Sequence, residues 1–234
     1  MNKGLISLLV LASSVGWAQA PINMAADAHY HLLLENHQVQ VFALTLRSTE
    51  RTFVRHEHNF LVVTLRDCEI VMWREGQSDI QNFRFAKGEV SFFSGGQAVG
   101  LRNDRTHECD NITVEFLNPD VNTYAYSDLA GWGYNSGAVN PPLDPHGKFA
   151  NSMLLGAAAA SDVQLLPRDS YPPPEKAGAE LLIPVTEVDL KGLNKHARKS
   201  PGDVLWIPAS RTSALVNAGS EPARFAIVEL WTGN

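Results

Sequence analysis

The sequence is poor in several features that mark large classes of protein. It has two cysteines in 234 residues, which allows at most one internal disulfide. Charged residues make up only 19% of the chain and the net charge is −6, with a sequence pI of about 5.7. No Lys/Arg-rich run and no RNA-type aromatic motif is present. This excludes the basic stripe with which a nucleic-acid binder displaces counterions. Lys191, Lys195, Arg198 and Lys199 cluster around His196, and read most simply as a solvated turn before Gly202. There is no nucleophile elbow, no phosphate-binding loop and no recognisable paired-carboxylate signature. The apolar run Leu5 to Trp17 is too short to span a bilayer comfortably.

That run has the form of a secretion signal. Lys3 supplies the positive start, Leu5 to Trp17 the apolar core, and Ala18-Gln19-Ala20 an Ala-x-Ala processing site. Pro21 would hinder a cut after Ala20, and cleavage after Ala18 is the alternative. Residues 1–20 are therefore expected to be removed on export, leaving a periplasmic or secreted chain with no membrane segment. Their removal takes away one positive charge and no acid. No cysteine follows the apolar core, so a lipid anchor is not expected. Cys68 and Cys109 both lie in the exported part, where an oxidising compartment favours a disulfide between them; two separate buried thiols are the other reading. Acids flank each thiol (Asp67 and Glu69; Glu108 and Asp110) and raise its pKa, which argues against a nucleophilic cysteine.

From Tyr30 the chain becomes a series of short strand-like runs. His37 to Leu46 alternates, Phe60 to Leu65 is continuously apolar, and Glu69–Trp73, Asn82–Phe85, Val90–Phe93, Ala98–Arg102 and Asn111–Phe116 follow. Turn signals recur roughly every eight to twelve residues, which predicts an all-β sandwich or barrel. Asn118 to Asn151 is rich in Asn, Gly, Pro and Asp and reads as a long connection. Its Tyr124, Tyr126, Trp132 and Tyr134 predict that it packs across the domains or lids a cavity. The second half then repeats the first. Gly88 to Gly96 matches Gly202 to Ser210, Asn103 falls on Asn217, and Ile112–Phe116 falls on Ala226–Leu230, all at a spacing of 114. Asn59–Ile70 aligns with Ala179–Leu190 at a spacing of 120, the difference fitting a longer hairpin around Glu75-Gly76-Gln77-Ser78 in the first copy.

Within Arg55–Leu65, His56 and His58 sit two residues apart ahead of the apolar run. On a single strand they share a face with Phe60 and Val62. Two such imidazoles form half of a metal site. In the spacing Gly, five residues, Pro-x-Gly, two residues, His, three residues, Asn, the first copy has Gly88, Ser94-Gly95-Gly96, Val99 and Asn103. The second has Gly202, Pro208-Ala209-Ser210, Ser213 and Asn217. These residues resemble the second motif of the cupin superfamily, and the duplication resembles a bicupin. The resemblance implies two double-stranded β-helix (jelly-roll) barrels, over residues 28–118 and 158–234, joined by residues 119–157.

The resemblance also implies a metal held by three His and one Glu. Here His56 and His58 survive, Val99 replaces the motif histidine, and the Glu position falls on Val62, or on Val63 in the longer spacing. The second copy has Lys176, Gly178 and Leu182 at the first-motif positions and none of the ligand set. A divalent Fe, Mn, Ni or Zn would need a further donor, from Gln97 on the same face as Val99 or from His29, His31, His107 or Glu108 in loops. The leading expectation is an exported bicupin that binds a small organic molecule, a sugar or acid, in a first-barrel cavity lined by His56, His58, Phe60, Val62, Gln97 and Val99. The alternative is a metal-dependent dioxygenase, isomerase or lyase at His56 and His58. Metal-free acid–base catalysis by His58 is the third. Association into a homo-oligomer is compatible with all three.

Overall fold

The computed structural model describes residues 20–76, 80–122, 135–136, 147–176, 178–193, 196–209 and 211–231. The expected signal segment up to Gln19 lies outside the described residues, as do Tyr124, Tyr126, Trp132 and Tyr134 of the connection. The fold is all-β, with one short 3₁₀ turn at Met24–Ala26 and no α-helix among the described residues.

The first barrel is built of two sheets. Its inner sheet runs in the order Asn135–Ser136, Val90–Phe93, Phe60–Thr64, Cys109–Phe116, Val39–Leu46, Tyr30–Glu35. Its outer sheet runs Ile22–Asn23, Arg51–His56, Gln97–Arg102, Cys68–Arg74, Gln81–Phe85. The second barrel repeats this plan. Its inner sheet is Phe149–Leu154, Ala158–Leu165, Ala223–Trp231, Gly178–Pro184, Leu205–Ile207, and its outer sheet is Ser170–Tyr171, Leu215–Asn217, Val188–Lys191, Ala197–Lys199. Asn135–Ser136, from the connecting segment, pairs with Phe92 and Ser91 and so extends the first barrel's inner sheet.

The two inner sheets pack against each other. Val41, Leu61, Phe92 and Val114 from one barrel share a single apolar cluster with Leu181, Ala226 and Val228 from the other. The alternate residues of the same strands face inward: Phe42, Leu44 and Phe60 in the first barrel, Leu182, Phe225 and Ile227 in the second. A strand covered on both faces needs apolar residues at every position, which is why Phe60–Leu65 reads as an unbroken run.

The repeat has the same physical function in both copies. Asn103 Nδ2 donates to the carbonyls of Leu46 (2.9 Å) and His107 (2.8 Å), and its Oδ1 accepts from the Arg105 N–H at 2.9 Å. Asn217 Nδ2 donates to Leu165 (3.0 Å) and Glu221 (2.8 Å), and its Oδ1 accepts from the Gly219 N–H at 2.9 Å. Each asparagine thus closes its own turn and ties it to a neighbouring strand end. Gly88 and Gly202 have φ of +85° and +84° and both face the opposite barrel. A Cβ on Gly88 would collide with the Arg224 guanidinium, which Asp162 holds at 3.0 and 2.8 Å; a Cβ on Gly202 would press on Leu65.

Cys68 and Cys109 form a disulfide, with Cα atoms 5.3 Å apart, that links the outer sheet to the inner one. Because both asparagines satisfy two carbonyls apiece, Asn103→Ala and Asn217→Ala should each lower unfolding free energy by about 2–4 kcal/mol. Urea denaturation monitored by fluorescence would measure this, and a loss under ~1 kcal/mol in either variant would show that water replaces the side chain.

Candidate functional site

The stretch Arg55–Leu65 is not one strand. Arg51–His56 ends in the outer sheet and Phe60–Thr64 begins in the inner sheet, with Glu57-His58-Asn59 turning the corner between them. The corner is held by hydrogen bonds rather than by a Gly or Pro of its own. Asn59 Oδ1 accepts from the Gly95 N–H (2.9 Å), Asn59 Nδ2 donates to the Val121 carbonyl (2.8 Å), and the Gly96 N–H donates to the His56 carbonyl (2.8 Å). Gly95 lies so close to the His58 backbone that no Cβ fits there. The expectation that His56 and His58 share a strand face is therefore corrected. His56 is 2% exposed and lines a cavity inside the first barrel; His58 is half-buried and is not among the cavity-lining residues.

That cavity has a volume of about 40 Å³. Of the expected lining residues it contains His56, Phe60, Val62 and Val99. Gln97 pairs with His56 across the ladder but is exposed at the strand end, outside the cavity. The remaining walls include Met72, Phe85 and Phe93, with Thr64, Asn111 and Thr113 as polar members. His56 stacks on Phe60 with ring centres 3.7 Å apart and planes 11° apart, and Phe60 in turn stacks on Phe93. Its Nδ1 lies 3.0 Å from Oε1 of Glu115, which is itself buried. Glu115 lies directly across the ladder from Phe60 and two residues beyond Thr113 on the same strand face. Nε2 of His56 has no partner among the described residues. Burial pushes the nearby Tyr30 phenol well above its ordinary pKa, and the charges of Asp27 and Glu115 add to the shift.

The loop residues considered as further donors do not join His56. His29 is engaged with Asp27, whose carboxylate also accepts from Thr52 Oγ1 at 2.5 Å. No group of three or more His, Cys, Asp or Glu able to hold a metal ion occurs among the described residues. His56 and Glu115 are two donors, and the positions that would complete a cupin set hold valines, so the first barrel does not fit the expected metal centre.

The second barrel holds a different polar group. Arg211, 2% exposed in its side chain, forms a two-pronged ion pair with buried Glu180, Nε to Oε2 at 2.5 Å and Nη2 to Oε1 at 2.6 Å. Glu180 lies directly across the ladder from Glu229. Burial pushes the Glu229 carboxyl above the usual range, and the charge of Glu180 adds to this against the pull of Trp231, Arg211 and Tyr171. Arg211 and Ser213 line a cleft of about 350 Å³. Sequence motifs single out Ser213 but not Arg211, Glu180 or Glu229, although the repeat contains the signal. At the spacings of 114 and 120, Gln97 falls on Arg211, Phe60 on Glu180, Glu115 on Glu229 and Val99 on Ser213.

No protein-family model matches the sequence, and no curated protein does. Solved structures do match. A cupin 2 conserved barrel domain protein from Leptotrichia buccalis aligns over 88% of this chain and 89% of its own, at 11% identity and a TM-score of 0.54. Oxalate decarboxylase from Bacillus subtilis, in a study of its Mn(II) centres, aligns over 91% of this chain and 77% of its own, at 10% identity and 0.58. The chain folds as a bicupin. AerE from Microcystis aeruginosa superposes on this bicupin over 91% of the chain and 98% of its own, at 10% identity and a TM-score of 0.65. At these identities the likeness is one of fold, and cupins host many chemistries.

Because Tyr30 stays protonated in the folded bicupin where the unfolded chain ionises, its stabilising contribution is complete below about pH 10 and is lost as pH rises beyond it, by about 1.4 kcal/mol per unit. Unfolding free energies measured across that range should fall less steeply in Tyr30→Phe. Identical slopes would show that the phenol titrates normally.

Proposed function

We propose that this protein is an exported bicupin that binds a small organic molecule in its first barrel, with His56 as the polar anchor. The observation that supports the reading is His56 itself, buried, stacked on Phe60 and oriented by Glu115 at 3.0 Å in a cavity with mostly apolar walls. Apolar walls with a few convergent polar groups are the usual form of a small-molecule site. A volume of about 40 Å³ holds roughly three water-sized groups. The ligand is accordingly a short acid or alcohol, or the polar end of a longer molecule; a whole sugar ring is too large. The Cys68–Cys109 disulfide supports export, since such bonds persist in oxidising compartments.

The same pair favours a second reading, metal-free acid–base catalysis, with His56 in place of His58. A carboxylate on Nδ1 fixes the imidazole tautomer and leaves Nε2 to take or give a proton. Metal-dependent chemistry would require donors beyond His56 and Glu115.

Titrating acetate and propionate into mature protein carrying ¹⁵N-labelled histidine should shift the His56 ring resonances saturably. Binding should be lost in His56→Ala and fall about ten-fold in Glu115→Gln, the equivalent of one charge-assisted hydrogen bond. Unchanged binding in His56→Ala would remove His56 from the site. Protein purified with Fe, Mn, Ni and Zn supplied should carry well under one equivalent of metal by mass spectrometry. A full equivalent that disappears in His56→Ala would restore the metal centre.

A further inference from the structure

We propose that the second barrel carries a separate small-molecule site, built for a molecule with an apolar body and a hydrogen-bond-accepting oxygen at one end. The cleft of about 350 Å³ falls in the size range of small-molecule sites, and is far larger than the first-barrel cavity. It lies between Ala197–Lys199 and Leu205–Ile207, which are the terminal strands of the second barrel's outer and inner sheets. The cleft thus sits at the seam where the two sheets of the second barrel end. Leu193, Leu205, Trp206 and Pro208 give the cleft apolar walls, and Arg211 is the one cationic residue among the described residues that line it.

Arg211 is prepared to donate. A guanidinium has five N–H groups. Two go to Glu180, one to the Ser213 carbonyl at 2.8 Å and one to the Pro172 carbonyl at 3.1 Å, which leaves one on Nη1 with no partner among the described residues. Four bonds fix the fork, so a ligand oxygen meets a donor whose orientation has already been set. Glu180 balances the charge of Arg211, so the fixed guanidinium offers its remaining N–H without a net buried charge of its own. A carbonyl and a carboxylate both supply that acceptor.

A purely structural ion pair would be expected where the barrel needs one to fold. The first barrel shows that it does not. At the equivalent positions it has Gln97, exposed, and Phe60, packed in its core, and the strands pair in the same way. Buried ion pairs are in any case weak contributors to stability compared with apolar packing. The Arg211–Glu180 pair therefore has a reason to exist beyond the fold, and the cleft that reaches it supplies one.

The test uses the full mature chain labelled with 5-fluorotryptophan, the Trp206 resonance being assigned by its loss in Trp206→Phe. Phenylacetate and phenylacetamide are the acceptor-tipped probes, and 2-phenylethylamine is the donor-tipped control. The Trp206 signal should shift saturably with at least one acceptor probe, and the comparison between them distinguishes carboxylate from carbonyl. The amine should bind about ten-fold more weakly or worse, for want of the Arg211 hydrogen bond. Ala197→Phe, which puts a phenyl ring into the cleft and leaves Arg211 and Glu180 unaltered in sequence, should abolish the shift while leaving the thermal midpoint nearly unchanged. His56→Ala should leave binding intact, which separates this site from the first-barrel reading. Equal binding of the amine, retention of binding in Ala197→Phe, or no saturable shift with either acceptor probe would overturn the proposal.

Discussion

The packing of one inner sheet on the other is the constraint on which the rest of this molecule depends. Val41, Leu61 and Val114 meet Leu181, Ala226 and Val228 across an apolar interface, so the central strands of both barrels are buried on two faces. Such strands have no solvent side on which to place polar residues cheaply. Polar groups that do occur on them, such as Glu115, Asp162, Glu180 and Glu229, are therefore either partnered or displaced in pKa. The interface also explains why Gly88 and Gly202 recur at the same place in the repeat. Each combines a left-handed turn with a close approach to the other barrel.

Within that shared frame the two interiors have diverged. The first is small and closed by stacked aromatics, with one imidazole held by one carboxylate. The second has a larger cleft at the seam between its sheets and a guanidinium paired with one buried carboxylate. The exchange of Phe60 for Glu180 at one position, directly across the ladder from a glutamate in both barrels, accounts for much of the difference. In the first barrel the carboxylate turns to His56. In the second, a carboxylate in place of the phenyl ring brings Arg211 inward.

Most of the strands are legible in the sequence because their physical cause is local. Val39–Leu46, Val90–Phe93 and Cys109–Phe116 differ from the expected runs by two residues or fewer at either end. Arg51–His56 does not stand out as a separate strand, for the converse reason. Its end is set by Asn59 reaching Gly95 and Val121, contacts 36 and 62 residues away, and no local breaker announces the turn. The same corner takes His58 off the strand and away from His56. The disulfide is favoured by composition and flanking acids, and the structure joins the two cysteines. Glu115 is the partner that the histidine lacked. It lies inside a run that the periodicity already assigns to the barrel, where a lone acid among apolar residues is the available signal.

The sequence by itself determined the fold class, the duplication and the equivalence of Asn103 with Asn217, because periodicity and repeat spacing are properties of the chain alone. It also determined that Val62 and Val99 leave the cupin ligand set incomplete. Which side chains meet was decided only by the tertiary structure. His56 with Glu115, Arg211 with Glu180, and the cleft beside Ala197 each join segments from 31 to 59 residues apart, or depend on where a sheet ends. Those meetings follow from barrel closure and strand register, which depend on the packing of the whole chain.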